Sequence, residues 1–355
     1  MAGNIQEVIN LQQAKLVDVI RGELIESQHS GSAVLVNSKG KTIQVLGQED
    51  LKTYWRSAAK PIQVLPLVES GAAAEFNFSQ EELAVMTASH SGEELHIRLV
   101  RSILKKTGLT EDYLKCGTHL PYSKEARKKL LASGGEASPI LNNCSGKHAG
   151  MLALCQHKGW DLENYFKLSH PLQQQLLSCV SRVSGYPRER IVTGEDGCGV
   201  VVYGLPLRNM ALAFARLSDP AELPGELRAP AEVIRQAMLA NPLAVGGEGR
   251  FNSDLIAGAE GKILAKSGAE GVFCLGFGDR GLAIKIRDGS SRAVPPVVMK
   301  FLEHNSVLTD GSQEVLEKYR KPKVTNHRGN QVGFLRPTFS LNKKKIYKMK
   351  GEDLL

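Results

Sequence analysis

The chain has 355 residues, 42% hydrophobic and 23% charged, with a net charge of +8. This composition excludes disorder for most of its length and allows one sizeable core or two subdomains. The charge is local: residues 318–355 hold eleven Lys and Arg against two acids, a surplus of nine that leaves residues 1–317 near −1, so the body is not expected to bind nucleic acid.

Residues 1–15 lack the basic start and apolar run of a secretory signal, and no stretch reaches the roughly 18 apolar residues of a membrane span. The expectation is a cytoplasmic protein with no membrane partner. There the six cysteines (Cys116, Cys144, Cys155, Cys179, Cys198 and Cys274) are thiols or ligands rather than disulfides. From residue 16 to 46, β-branched and polar residues alternate as in strands, with Ser38-Lys39-Gly40-Lys41 as a hairpin turn. Helical patterns follow over 58–70, 79–88, 93–107, 123–133, 147–159, 171–184 and 230–240. Strand patterns return over 262–266, 272–278 and 281–287.

Strands, helices, then strands predict a mixed α/β (α+β) fold, in which both chain ends build one largely antiparallel sheet around an inserted helical subdomain. The expected layout is one domain over 1–340, its sheet from about 15–47 and 262–290 and its helical subdomain over about 60–240. A basic tail, 341–355, reads as a solvated end. The cleft between sheet and helices is the natural site.

Ser57 and Lys60 stand three residues apart, so on a helix they share a face. Pro61 is tolerated only in a first turn, which puts Ser57 at a helix start, where free N–H groups and the helix dipole favour an oxyanion. A serine becomes a nucleophile when a base takes its proton, and a neutral lysine is such a base. A free lysine has a pKa near ~10.4, so the base needs burial or a second cation, for which Lys266 in Lys266-Ser267-Gly268 is the candidate. Ser89-His90-Ser91 lies between them in the chain. Ser-x-x-Lys, Ser-x-Ser and Lys-Ser-Gly follow one another in the order found in serine β-lactamases and penicillin-binding proteins.

Other side chains suit an amino-acid substrate. Arg56 can pair with a carboxylate, and Glu195 and Asp196 can balance an ammonium. His90 fits either proton transfer or a hydrogen-bonded structural role. Cys144 and Cys198 supply half of a tetrahedral zinc shell, and on residue type His148 is a more usual third ligand than Lys147.

Five blocks then resemble the asparaginase II family, the Rhizobium-type enzymes: Trp-Arg-Ser-Ala-Ala-Lys-Pro (55–61), Ala-Ser-His-Ser-Gly-Glu (88–93), Asn-Asn-Cys-Ser-Gly-Lys-His-Ala-Gly-Met (142–151), Gly-Glu-Asp-Gly-Cys-Gly (194–199) and Ala-Lys-Ser-Gly-Ala-Glu-Gly (265–271). The resemblance spans about residues 15–337. It implies a serine β-lactamase-like and glutaminase-like fold and hydrolysis of L-asparagine to L-aspartate and ammonia. By the same resemblance Ser57, Lys60, Ser89 and Lys266 are catalytic, with Ser57 or Ser89 as nucleophile, and Cys144, Lys147 and Cys198 bind zinc. No organic cofactor is expected, and a homodimer is the default assembly. The rival readings are a glutaminase or another serine amidase or β-lactamase-like hydrolase on the same fold, and an inactive scaffold or nucleic-acid binder that uses the basic end.

Overall fold

The computed structural model describes residues 13–341. The basic tail, apart from Leu341, lies outside the described residues. The strands in chain order are β1 (Ala14–Arg21), β2 (Leu24–Asn37), β3 (Thr42–Leu46), β4 (Lys52–Tyr54), β5 (Val192–Glu195), β6 (Val201–Pro206), β7 (Leu264–Ser267), β8 (Val272–Phe277), β9 (Arg280–Ile286), β10 (Lys323–Thr325) and β11 (Gln331–Pro337).

The main sheet runs β10-β11-β1-β2-β9-β8-β7, with β3 paired to β2, and every pairing in it is antiparallel. Both chain ends therefore meet in one sheet, as the alternating segments predict. The long β2 makes this possible: its first half pairs with β1 and its second half, Gly31 to Asn37, pairs with β9. Successive side chains of a strand point to opposite faces, so the unbroken burial of β8 requires cover on both faces. The helices Leu207–Ser218 and Val294–His304 pack on this sheet.

Between the two halves, the helix Lys60–Glu69 forms the centre of the helical part, with Ser145–Lys158, Pro171–Ser184 and Gly225–Ala240 packed around it. Ile62 and Leu65 of the central helix are fully buried there. Outside this group lie the helices Gln80–Met86, Glu94–Lys106 and Lys124–Ala132. The predicted helices are all present, within a few residues at each end except at 225–240. That helix starts five residues before its predicted position, because Pro230 sits inside it instead of opening it.

Several elements are additional to the predicted set. The hairpin β10–β11 extends the sheet beyond β1, and β10 is an edge strand, where exposed lysines are tolerated and the apolar alternation is weak. A second sheet, β4-β6-β5, borders the helical part. The helix Leu207–Ser218 was not among the expected helices. Val294–His304 carries two prolines, which look like a break but occupy its first turn.

Candidate active site

Trp55 ends the strand side of the site. Its N–H donates to Tyr203 O of β6 at 2.8 Å, and its buried ring meets Phe214 edge-on at 6.4 Å. The chain then turns through a short 3₁₀ helix, Arg56–Ala59, directly into the helix that begins at Lys60, with Pro61 in its first turn. Ser57 is thus at a helix start, as expected. Arg56 has φ 53°, a left-handed conformation that costs a non-glycine residue about 1 kcal/mol. The end of β7 lies close by, because a Cβ on Gly268 would sit 2.9 Å from Trp55 O. That close approach brings Lys266 up to the Ser57 turn.

Ser89 follows the helix Gln80–Met86 and is the meeting point of both lysines. Lys60 Nζ donates to Ala88 O at 2.6 Å, Ser89 Oγ at 3.1 Å and Asn143 O at 3.4 Å. Three acceptors match the three N–H groups of an ammonium. Lys266 Nζ lies 2.9 Å from the same Ser89 Oγ and donates to Ser267 O at 2.8 Å. Lys60 is 1% exposed, Lys266 0% and Ser89 7%, so this array is taken out of water. Burial, reinforced by the Lys60 and Arg250 charges, pushes the Lys266 amine well below the usual lysine range. A shift in that direction favours the neutral amine, the form in which a lysine acts as a base. Ser57 Oγ has no hydrogen-bond partner among the described residues and is not among their buried unpaired atoms. Of the two serines, Ser57 presents the open hydroxyl and Ser89 the bonded one.

The thiols form a second buried cluster. Lys147 Nζ donates to Cys198 Sγ at 3.0 Å, and Cys144 hydrogen-bonds to Cys198 as well. The bond from Cys144, with Lys147 and His148 behind it, holds the Cys198 thiol far below its usual range, against the effect of burial. Cys144 is raised by the same bond and by burial, so it keeps the proton. Burial acts to lower the Lys147 amine, but the sulfurs beside it, Cys198 ahead of Cys144, outweigh it and raise it. His148 is pushed down to about 4 by burial, against the opposing influence of the nearby Cys198. Tyr165 Oη accepts the Lys115 N–H at 2.9 Å and so donates its own proton to His148 Nδ1 at 2.7 Å. The His148 Nε2–H is left over, buried and without a protein partner at hydrogen-bond distance.

This donor set fits zinc. Two thiol sulfurs and an amine converge, and thiolates are strong zinc ligands. Among the described residues no three His, Cys, Asp or Glu side chains gather as a metal-holding group, so zinc on Cys144 and Cys198 would need Lys147 as its third protein donor, the set that the family resemblance implies. With its Nδ1 taken by the Tyr165 hydroxyl, His148 carries its proton on Nε2 and offers no free lone pair to a metal.

The residues expected at the substrate are dispersed. Arg56 and Asp196 meet each other, Nε to Oδ1 at 2.7 Å, rather than standing apart for opposite charges. Glu195 is exposed at the end of β5 and lines a cleft of about 350 Å³ with Gly194, Gly199 and Phe166. His90 is fully buried, and both nitrogens are used: Gly92 N–H donates to Nδ1 at 3.2 Å, and Nε2 lies 2.8 Å from Ser145 Oγ. Burial, with His96 and Lys60 nearby, lowers it well below the ordinary histidine range, so the structural role is the one its surroundings fit.

The sequence pattern of the L-asparaginase II family matches residues 17–337. The chain belongs to the L-asparaginase II family. No curated protein matches it. Crystal structures of Mglu are similar, for its native form in 4.3 M NaCl at 15% identity and TM-score 0.36 over 78% of this chain. The chain spans 61% of that protein's length. A beta-lactamase (Mb2281c) from Mycobacterium bovis is similar at 13% identity and TM-score 0.35, over 82% of this chain and 95% of that one. Likenesses this slight carry no argument, and the family assignment rests on the match over 17–337. Membership supports an amidohydrolase. In this L-asparaginase II chain the site also contains residues that carried no motif: His119, whose Nε2 accepts the Asn143 N–H at 2.9 Å, Tyr122 stacked on it, Arg250 and Asn252. Only Asn143 lay inside a family-like block.

Proposed function

We propose that the protein hydrolyses the side-chain amide of L-asparagine to L-aspartate and ammonia through a β-aspartyl ester. The observation that carries this reading is Ser89 Oγ held between Lys60 and Lys266, with Ser57 in the short helix that leads into Lys60. Ser57 attacks the amide carbon. Its proton passes into the buried array, where Ser89 relays it to the neutral Lys266 amine, and Lys60 holds the ends of the array by its three bonds. The proton then goes to the leaving nitrogen, which departs as ammonia. Water hydrolyses the ester with the same groups run in reverse.

Zinc held by Cys144, Lys147 and Cys198 would supply a Lewis acid beside the site. The residues themselves keep Cys198 as the thiolate, with the Lys147 cation donating to it.

A second reading has Ser89 as the nucleophile, and the contact of both lysines with its oxygen favours it. Quenching turnover and mapping the acyl group by mass spectrometry decides: an adduct on Ser57 supports the first reading and one on Ser89 the second. Ammonia release from asparagine and glutamine tests the reaction. One methylene separates these substrates, which is worth about 1–3 kcal/mol of discrimination. The homodimer, testable by light scattering, and a cytoplasmic setting belong to the same proposal. No described helix is long and apolar enough to cross a membrane.

A further inference from the structure

Arg250 and the glycine-rich loop before it, Gly246-Gly247-Glu248-Gly249, take no part in the chemistry of the serines and lysines. The loop is nonetheless fixed against the segment that carries Ser89. Ser91 Oγ donates to Gly246 O at 3.0 Å, and Glu248 N–H donates to Glu93 Oε1 at 3.1 Å. Gly247 has φ 120°, and a Cβ there would sit 2.6 Å from Glu93 Oε1, so no other residue lets the loop approach this closely.

Arg250 leaves this loop with no carboxylate at ion-pair distance among the described residues. Its guanidinium carbon lies 5.9 Å from the centre of the Tyr122 ring. Tyr122 stacks on His119 at 4.7 Å, His119 accepts from Asn143 N, and the Asn143 carbonyl accepts from Lys60. On the other side, Asn252 Oδ1 accepts from Ser267 Oγ at 3.3 Å, beside Lys266. Arg250 is thus bracketed by the two elements that hold the catalytic lysines. Asn252 is 3% exposed, and its Nδ2 is buried with no partner. A buried amide donor without an acceptor is costly and marks a place for an anionic or polar ligand. Arg56, the other arginine at the site, already has Asp196 on its Nε.

We propose that Arg250 receives the α-carboxylate of the amino-acid substrate, with the Asn252 amide as second donor, and thereby restricts the enzyme to amides that carry that carboxylate. A guanidinium presents paired N–H groups that match a carboxylate's two oxygens, and this half-buried one, whose charge the Glu93 carboxyl feels without an ion pair between them, keeps them open. This assignment rests on the amidohydrolase reading of the site and adds its substrate recognition.

The test compares L-asparagine with 3-aminopropanamide, the same amide without the α-carboxylate, in wild type, Arg250→Ala, Arg250→Lys and Arg56→Ala. In Arg250→Ala the preference in kcat/KM for asparagine over 3-aminopropanamide is expected to collapse by about 100-fold, mostly through KM, with partial recovery in Arg250→Lys. Equal losses on both substrates, or a collapse in Arg56→Ala instead, overturn the assignment. Wild type that releases ammonia from neither amide contradicts the amidohydrolase reading. In that event, titration calorimetry with L-aspartate still tests Arg250: binding weakened about 100-fold in Arg250→Ala supports the carboxylate site, and binding that is equal in both or absent overturns it. Thermal melts of the two Arg250 variants check that the fold is kept.

Discussion

Lys266 Nζ and Ser89 Oγ lie 2.9 Å apart although 177 residues separate them in the chain. The antiparallel pairing of the late strands with β2 brings them together, because it carries β7 to the helix start at Lys60. The contact places a buried amine, pushed below the usual lysine range, on a hydroxyl that a second lysine also holds, and most of what can be measured follows from that.

Ser89→Ala removes the shared oxygen. Lys60 keeps Ala88 O and Asn143 O, and Lys266 keeps Ser267 O, so the array loses one hydrogen-bond partner on each side but not its anchorage. Stability should fall by about 1 kcal/mol. Turnover should fall by about 10²- to 10⁴-fold, the range for loss of proton transfer. Chemical denaturation and ammonia release check the two effects separately.

Activity should rise with pH as Lys266 loses its proton, with the rising limb below the ordinary lysine value of ~10.4, because burial and Lys60 lower this amine. The same shift fixes the sign for stability. Between the folded pKa of Lys266 and ~10.4 the unfolded chain binds more protons, so this group's contribution grows as pH rises through that window and is lost as pH falls through the folded pKa. A pH profile of kcat/KM and a series of guanidinium midpoints measure both, and Lys266→Met should abolish this contribution to each.

Purified protein should contain about one zinc per chain, held by Cys144, Lys147 and Cys198. Because Lys147 is raised by the sulfurs beside it, zinc should displace its proton. Calorimetric titration of chelator-stripped protein in buffers of different ionisation enthalpy detects that release. Elemental analysis of Cys198→Ser should show the metal lost; an unchanged zinc content in that variant removes the site.

Arg56→Gly relieves a left-handed backbone, worth about 1 kcal/mol. It also removes a partly exposed ion pair with Asp196, worth roughly 0.2–1 kcal/mol. The two nearly offset, so the melting temperature should change little. Turnover should drop about 10-fold or more, since the pair fixes the turn that aims Ser57. A thermal melt beside a rate measurement separates aim from stability.

The sheet from both chain ends was legible because alternation marks the early strands, while short apolar runs between glycine-rich turns mark β7–β9. β10 was not, since an edge strand shows little apolar alternation. At the site, Ser57, Lys60, Ser89 and Lys266 were legible as motifs in order. Which serine the lysines touch was not, because spacing along a helix puts Lys60 beside Ser57 while its long side chain reaches across to Ser89. Arg56 and Asp196 looked like two substrate contacts, and only the fold makes them partners. Arg250 and Asn252 carried no signal at all, because their meaning comes from a loop that a distant segment, Ser91 and Glu93, holds in place.

The most direct measurement is steady-state ammonia release from L-asparagine by the wild type and by Lys266→Met at neutral pH. The account predicts steady release by the wild type and a loss of about 10²- to 10⁴-fold in a variant that melts no lower, since a buried lysine has been replaced by an apolar side chain of similar length. Folded wild type that releases no ammonia, or a Lys266→Met enzyme as active as the wild type, would contradict it.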